Sequence, residues 1–485
     1  MSSSQPNILL ICTDQQRGDC LGIEGHPTLQ THNLDSIARG GTRFTRAYAE
    51  CPSCIPARRS LMTGLAPAAH GMVGFKYEDF DPPHTLPGEL RNAGYETKLV
   101  GKLHLQPKGK RFGFDHMLLT DGIGGQTDYT AWLREQGETA PDLCGDHGVT
   151  GEYWAARPDT LDERKKHSYW IASKTIEFLS RQRDPSCPFF LNVSFFDPHT
   201  PFIPPKGHWD RYINRETPAA AVGDWARDFG GPQKGLGPFA PHAHIDDQDL
   251  HECRAAYYAT VHFVDDQVGR ILKCVSSFQK GRIVPRDTLI VFISDHGEML
   301  GDHHMFSKTF PYEASARIPF LVRAPHRYGF PEEIICDTPV GLQDVMPTIL
   351  DAVDLPVPDT CTGKSLVPIL RGESARVRDI LHGEHSGHAD PDHATQFLVS
   401  DEHKYIWYTH SGREQLFDLE NDPDELKDLA LTEDAENRLQ PWRDKMIEFL
   451  NGRPEGFTDG KNLLPGRPHD HVFPDYQPDS IYPFL

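Results

Sequence analysis

The sequence contains no run approaching the roughly 20 consecutive apolar residues that a membrane-spanning helix needs, so no such helix is expected. Its start, MSSSQPNILLICTD, lacks the basic stretch, apolar stretch and small-residue cleavage site of a secretory leader, which points to a cytoplasmic protein. Positive charge is scarce. With 49 Lys and Arg against 70 Asp and Glu, the formal net charge is -21, which excludes a non-specific nucleic-acid binder that works through a basic face. The ten cysteines of the 485-residue chain show no framework spacing and are expected as reduced thiols. Internal repeats and low-complexity tracts are absent. What remains, 38% hydrophobic and 25% charged residues, is the composition of an ordinary globular protein with a sizeable core.

Short apolar runs alternate with helical patterns, the signature of parallel strands joined by crossover helices. The strand candidates are Asn7 to Thr13, Glu96 to Gly101, Phe189 to Phe196, Thr288 to Ser294 and Ile318 to Ala324, and their near-continuous hydrophobicity implies burial on both faces. The sequon at Asn192 to Ser194 falls inside one of these runs and reads as buried strand, not as a glycan site. Between the last two strands and the earlier ones, Val261, Val264, Val268 and Ile271 recur at helical spacing, with Asp265, Asp266 and Arg270 on other faces, as in a surface-packed helix. Residues 200–250, rich in Pro, Gly and His, read as a long insertion over the strand ends. The expected fold is α/β, a mixed and mostly parallel sheet flanked by helices over residues 1–370. A smaller C-terminal α+β part follows over 371–485, and its aromatic tail suits docking on a second subunit.

In an open α/β sheet, ligands sit beyond the carboxyl ends of the strands. Asp14 and Gln15 follow the first strand, and Asp295 and His296 follow the run Thr288 to Ser294. Two carboxylates, an amide oxygen and an imidazole make a divalent metal site: hard oxygens suit Mg²⁺, Ca²⁺ or Mn²⁺, and the nitrogen tilts the balance toward Mn²⁺ or Zn²⁺. Alternatively, Asp14 and Asp295 each cap a following helix. Lys102 and His104 follow the strand Glu96 to Gly101, His199 follows the strand Phe189 to Phe196, and Lys308 comes shortly after His303. Singly, such residues are ordinary solvated cations. Around a metal they are what a tetrahedral oxyanion demands, because charge builds on its oxygens in the transition state.

The stretch CPSCIPARRSLMTG, Cys51 to Gly64, holds a C-x-x-C with no second pair at zinc-ribbon spacing, so neither a structural zinc nor a redox pair is supported. It also holds C-x-P-x-R followed by T-G: Cys54, Pro56, Arg58, Thr63 and Gly64. That pattern resembles the signature of formylglycine-dependent type I sulfatases in the alkaline phosphatase superfamily. The resemblance runs through most of the chain, in family order: PNILLICTDQ, HNLDSIARGGTRFTRAYA, GYETKLVGKLH, PFFLNVSFFDPHTPF, LIVFISDHGEMLGDH, SKTFPYE and QLFDLENDPDELKDLA.

The resemblance implies that a separate formylglycine-generating or other sulfatase-maturing enzyme converts Cys54 to formylglycine. The aldehyde hydrate then offers one hydroxyl to attack sulfur and a second to expel sulfate. It implies that Asp14, Gln15, Asp295, His296 and modified Cys54 hold one divalent ion, Mn²⁺ or Ca²⁺. Arg58 would steady the nucleophile and His104 support the hydrate. Lys102, His199 and Lys308 would grip sulfate oxygens, one of His199 and Lys308 acting as leaving-group acid. Many family members carry a second aspartate where Gln15 stands and an asparagine where His296 stands. The pairing here resembles the branch of choline sulfatases, phosphonate monoester hydrolases and some bacterial arylsulfatases. The implied activity is hydrolysis of small sulfate esters by a homodimer or homotetramer. The alternatives are the same site acting on phosphonate monoesters or phosphodiesters, or a non-catalytic homologue that keeps Cys54 as a thiol. Cys54 is expected in a loop outside the core.

Overall fold

In the computed structural model the residues described are 5–120, 127–138, 154–227, 242–279, 282–285, 287–387 and 391–473. The aromatic tail from Pro474 onward lies outside them, as does part of the 200–250 insertion. The strands are β1 (Asn7–Asp14), β2 (Thr42–Tyr48), β3 (Glu96–Gly101), β4 (His116–Leu119), β5 (Phe189–Pro198), β6 (Ser276–Gln279), β7 (Arg282–Pro285), β8 (Thr288–Ser294), β9 (Arg317–Arg323), β10 (Ile334–Cys336), β11 (Val340–Gly341), β12 (Leu381–Ser386), β13 (Ala394–Val399), β14 (His403–Tyr408) and β15 (Glu414–Asp418). The helices are α1 (His32–Arg39), α2 (Cys54–Thr63), α3 (Leu86–Asn92), α4 (Asp128–Glu135), α5 (His167–Glu177), α6 (Lys206–Tyr212), α7 (Asp247–Val275), α8 (Glu313–Ala316), α9 (Val345–Ala352), α10 (Val367–Leu370) and α11 (Ala435–Leu450).

The main sheet runs β10-β2-β9-β8-β1-β5-β3-β4, with β11 also paired to β2. β1 is parallel to both β8 and β5, and β3 is parallel to β5 and β4. Every residue of β5 and β8 is buried, as continuous hydrophobicity requires of strands covered on both faces. Alternate side chains of β1 divide the core. Ile8, Leu10 and Cys12 face one layer with α2, α3 and α9, while Leu9 and Ile11 face the other with α1, α5 and α7.

Two expectations are corrected. The run Ile318 to Ala324 is antiparallel, as β9, to both β8 and β2. A parallel return needs a crossover of a dozen or more residues with a substantial helix, and only the four-residue α8 lies between β8 and β9, so the chain reverses. Helix α7 is buried on all sides from Cys253 to Asp265, not only along one stripe. It packs against β5 and against helices α1, α5 and α6. Buried Asp265 accepts hydrogen bonds from the backbone N–H of Asn33 and Leu34, which caps the start of α1.

Strands β12 to β15 form a separate antiparallel meander. It shares an apolar cluster with the main sheet, where Tyr48, Phe310 and Tyr312 meet Phe397, Ile406 and Phe417. Among the described residues, no helix is long and apolar enough to cross a membrane.

Candidate active site

Strands β8, β1, β5 and β3 are consecutive neighbours and all parallel, so their carboxyl ends open on one side. The residues at or just past those ends, Asp295 and His296, Asp14 and Gln15, His199, and Lys102, are thereby delivered to one place. The approach at β3 depends on Gly101, whose φ is +123° and where a Cβ would collide with the carbonyl oxygen of Ser194. Helix α2 supplies Cys54 and Arg58, and the connection from β8 to β9 supplies Lys308.

Cys54 is the first residue of α2, 1% exposed, and every residue of that helix is buried. The expectation of a loop outside the core is therefore corrected. A helix start inside the protein aims unpaired backbone N–H groups and the positive dipole end at the sulfur. Cys54 Sγ lies 3.1 Å from His296 Nε2, 3.8 Å from Lys102 Nζ and 3.8 Å from Asp14 Oδ1. Burial pushes its thiol up, but Lys102, Lys308, His296 and a hydrogen bond from His104 hold it well below the usual thiol range. Cys51, three residues earlier, goes the other way: burial, then Glu384 and Glu50, raise it well above that range. The two cysteines of the C-x-x-C are thus chemically unlike.

Arg58 ties the carboxylates together. Its Nε donates to Asp295 Oδ2 at 2.9 Å and its Nη2 to Asp14 Oδ2 at 3.1 Å, while Nη1 donates to Ser194 Oγ and the Lys102 carbonyl, both at 2.9 Å. Lys102 Nζ pairs with Asp14 Oδ2 at 2.5 Å. The other oxygens, Asp14 Oδ1 and Asp295 Oδ1, lie 3.8 and 3.7 Å from His296 Nε2. Burial and Cys54 push Asp14 up, yet Lys102, His199 and Arg58 override them and keep it ionised below the usual carboxylate range. Burial, then Asp14, raises Asp295. Asp14, Cys54, Asp295 and His296 each offer one ligand atom within 4.8 Å of the others, all buried, so this donor set fits a divalent ion.

On the far side of Asp14, Lys308 Nζ stands 2.6 Å from His199 Nε2 and donates to Gln15 Oε1 at 2.8 Å. His199 Nε2 is 3.9 Å from Asp14 Oδ1. The structure thus brings all ten sequence-selected residues into one connected set. Several carry left-handed backbone without being glycine: φ is 69° at Gln15 and 57° at His104, and 69° and 83° at Ser307 and Thr309, which flank Lys308.

Three contributors were missed from sequence. Glu298 is buried, accepts from the Gln15 side-chain amide, and takes the backbone N–H of Leu300 at 2.9 Å and of Ser307 at 2.5 Å. It thereby turns the amide oxygen of Gln15 toward Lys308 and fixes the Lys308 loop. Its only sequence signal is an acid in the same DHGE stretch as Asp295. Ser194 points from β5 at Arg58, and the Tyr257 hydroxyl donates to the Gln15 carbonyl at 2.7 Å while accepting from the Arg17 N–H. Nothing local marks either residue.

Comparison with known proteins agrees with this geometry. Residues 6–355 match the Sulfatase family model, and residues 301–451 match that of the C-terminal part of N-sulphoglucosamine sulphohydrolase. The chain is 38% identical to an arylsulfatase of Clostridium perfringens over 96% of its own length and 98% of that protein's. It is 31% identical to a choline-sulfatase of Rhizobium meliloti, over 89% and 83%. The fold superposes on the phosphonate monoester hydrolase of Agrobacterium radiobacter with a TM-score of 0.76 at 27% identity, covering 91% of this chain and 95% of the other. With an alkaline phosphatase-like sheet and more than two thirds of its length inside the family model, the chain belongs to the sulfatase family of sulfuric ester hydrolases.

Proposed function

We propose that the protein hydrolyses aryl sulfates, with Cys54 matured to formylglycine by a separate enzyme of the sulfatase-maturing class. The observation that carries this reading is the position of Cys54 Sγ between His296 and Lys102, on a helix start that faces two carboxylates. Formylglycine supplies, when formed, a hydrated aldehyde whose paired hydroxyls serve for attack and for release. A divalent ion, Mn²⁺ or Ca²⁺, would be held by Asp14, Gln15, Asp295, His296 and residue 54 and would supply Lewis acidity.

The remaining work falls to side chains. Lys102 and Lys308 are fixed cations on opposite sides of Asp14, suited to hold the peripheral oxygens of a sulfate group and its growing negative charge. His199 Nδ1 lies 2.8 Å from the Thr200 carbonyl, which orients the ring and leaves Nε2 facing Lys308 and the reaction space. We assign His199, poised by Lys308, the transfer of a proton to the leaving oxygen. Arg58 holds Asp14 and Asp295 in register by one oxygen of each, and His104 steadies residue 54 through its hydrogen bond. The aryl preference is supported by the arylsulfatase relative and by an aromatic rim. Phe75 and Tyr77 stack edge-to-face at 5.3 Å, and Tyr77, 63% exposed, has its hydroxyl 3.5 Å from His104 Nε2.

A second reading, phosphonate monoester or phosphodiester hydrolysis at the same site, is favoured by the likeness to the Agrobacterium enzyme. The division into a catalytic part, 1–370, and a C-terminal part, 371–485, and assembly as a homodimer or homotetramer complete the proposal. Mass spectrometry of the peptide Ala47 to Arg58 tests maturation, which exchanges the CH₂SH of Cys54 for CHO. Parallel assays of an aryl sulfate, choline sulfate and a phosphonate monoester, each with Mn²⁺ or Ca²⁺, test the substrate. An unmodified thiol in active protein, or faster phosphonate turnover, overturns the corresponding part.

A further inference from the structure

A second group of metal-ligating side chains lies away from the strand ends, where α6 crosses α7. Asp266 and His262 stand one turn apart on α7, and His208 reaches them from α6. One ligand atom from each of the three lies within 4.8 Å of the others. The rings of His208 and His262 are 5.4 Å apart and nearly perpendicular. Each imidazole turns its Nε2 to a different oxygen of the same carboxylate: His208 Nε2 is 3.0 Å from Asp266 Oδ2, and His262 Nε2 is 3.9 Å from Asp266 Oδ1.

His262 Nδ1 is 2.7 Å from the Tyr212 hydroxyl. At His262, one nitrogen faces a shared centre while the other meets an oxygen that fixes ring orientation, the arrangement that metal-binding histidines use. One neighbouring cation weighs against a positive guest: Arg211 on α6, whose Nη2 donates to Gln30 Oε1 at 2.5 Å.

We propose that His208, His262 and Asp266 form a second divalent-metal site, selective for a zinc-class ion, that pins α6 to α7. Two imidazole nitrogens and one carboxylate favour zinc over calcium or magnesium, which take oxygen. Asp266, half exposed, leaves the fourth position open to solvent. The role follows from the chain path: α6 begins seven residues after His199, so a clamp here anchors the segment leaving the catalytic cluster.

The site is independent of the reaction proposed above, and its test does not read activity. Purified full-length protein, Asp266→Asn and His208→Gln are equilibrated with Zn²⁺, desalted and compared for zinc content and for thermal midpoint with and without added Zn²⁺. The wild type is expected to retain about one equivalent more zinc than either variant, the catalytic cluster being common to all three. Added Zn²⁺ should raise the wild-type midpoint by more than it raises that of either variant, the catalytic cluster contributing equally to all three. Asp266→Asn replaces a half-exposed group by its isostere, so it keeps the comparison valid should His208→Gln destabilise the helix crossing. Equal zinc content in the wild type and Asp266→Asn overturns the site.

Discussion

At the carboxyl ends of the main sheet, Arg58 takes one oxygen from each of two aspartates and leaves Asp14 Oδ1 and Asp295 Oδ1 facing Cys54 and His296. In the C-terminal sheet, Arg453 takes both oxygens of Glu384, at 2.9 and 2.6 Å, and donates to Glu455 as well, at 3.1 and 2.6 Å. Both clusters contain histidine, His296 in one and His469 in the other; the first is buried throughout, and the second is buried at Glu384 and half-buried at Glu455 and His469. The difference lies in saturation. A guanidinium that grips both oxygens of a carboxylate satisfies it and makes a structural brace, whereas one that holds two carboxylates by one oxygen each leaves acceptors directed at a common point. Residue type therefore distinguishes a site from a brace less well than whether the guanidinium takes both oxygens of one carboxylate or one oxygen from each of two.

The sharpest break of that comparison is at the nucleophile. Cys54→Ala is expected to lower sulfate-ester turnover by about a thousandfold or more while the thermal midpoint stays close to wild type, read by kinetics and calorimetry on one preparation. Substantial turnover by the variant would remove Cys54 from the chemistry. Next come paired isosteric changes in the two clusters. Asp295→Asn should lose activity and bound metal together. Glu384→Gln should keep both in its folded fraction and lose about 1 to 3 kcal/mol of stability, because Arg453 loses its buried two-oxygen partner and keeps Glu455 alone. Metal analysis beside denaturant unfolding distinguishes them, and metal loss in Glu384→Gln would erase the contrast.

Glu384 and Asp295 should also answer pH with opposite sign. Glu384 sits well below its ordinary value of 4.5: burial pushes it up, but Arg453 overrides burial. Its contribution is complete above 4.5 and is withdrawn as pH falls through the folded value, so Glu384→Gln should flatten the acid limb of stability. Asp295 is raised above 3.8 by burial and then Asp14. Without metal its contribution is present below 3.8 and lost as pH rises through the folded value. The gap in thermal midpoint between metal-loaded and chelated protein should consequently widen as pH rises. The smallest effect belongs to the rim: Tyr77→Ala should raise KM for an aryl sulfate by about fivefold, the worth of one aromatic contact, and leave choline sulfate unchanged. Equal effects on both substrates would detach Tyr77 from the aryl group.

Much of this molecule was legible because it is local. Strands β1, β3, β5 and β8 are short apolar runs buried on both faces, and the residue after each run is displaced into the crevice whatever the sheet order. Less legible was β2, whose TRFTRAY alternates arginine with aromatics near the sheet edge. The antiparallel course of β9 depends on how little helix lies before it, and the full burial of α7 on what packs around it. Glu298 and Tyr257 act by reaching Gln15 across 283 and 242 positions of chain, a distance at which periodicity carries no information.

By itself the sequence determined which chemical groups stand at strand ends and which cysteine is followed by proline and arginine, because those facts need only neighbours in the chain. Tertiary structure alone decided which carboxylate oxygens stay open, which of two nearby thiols is lowered, and that two histidines from separate helices meet at one aspartate. Each of those outcomes depends on burial and on charges brought from distant segments, and electrostatics acts through space, not along the backbone.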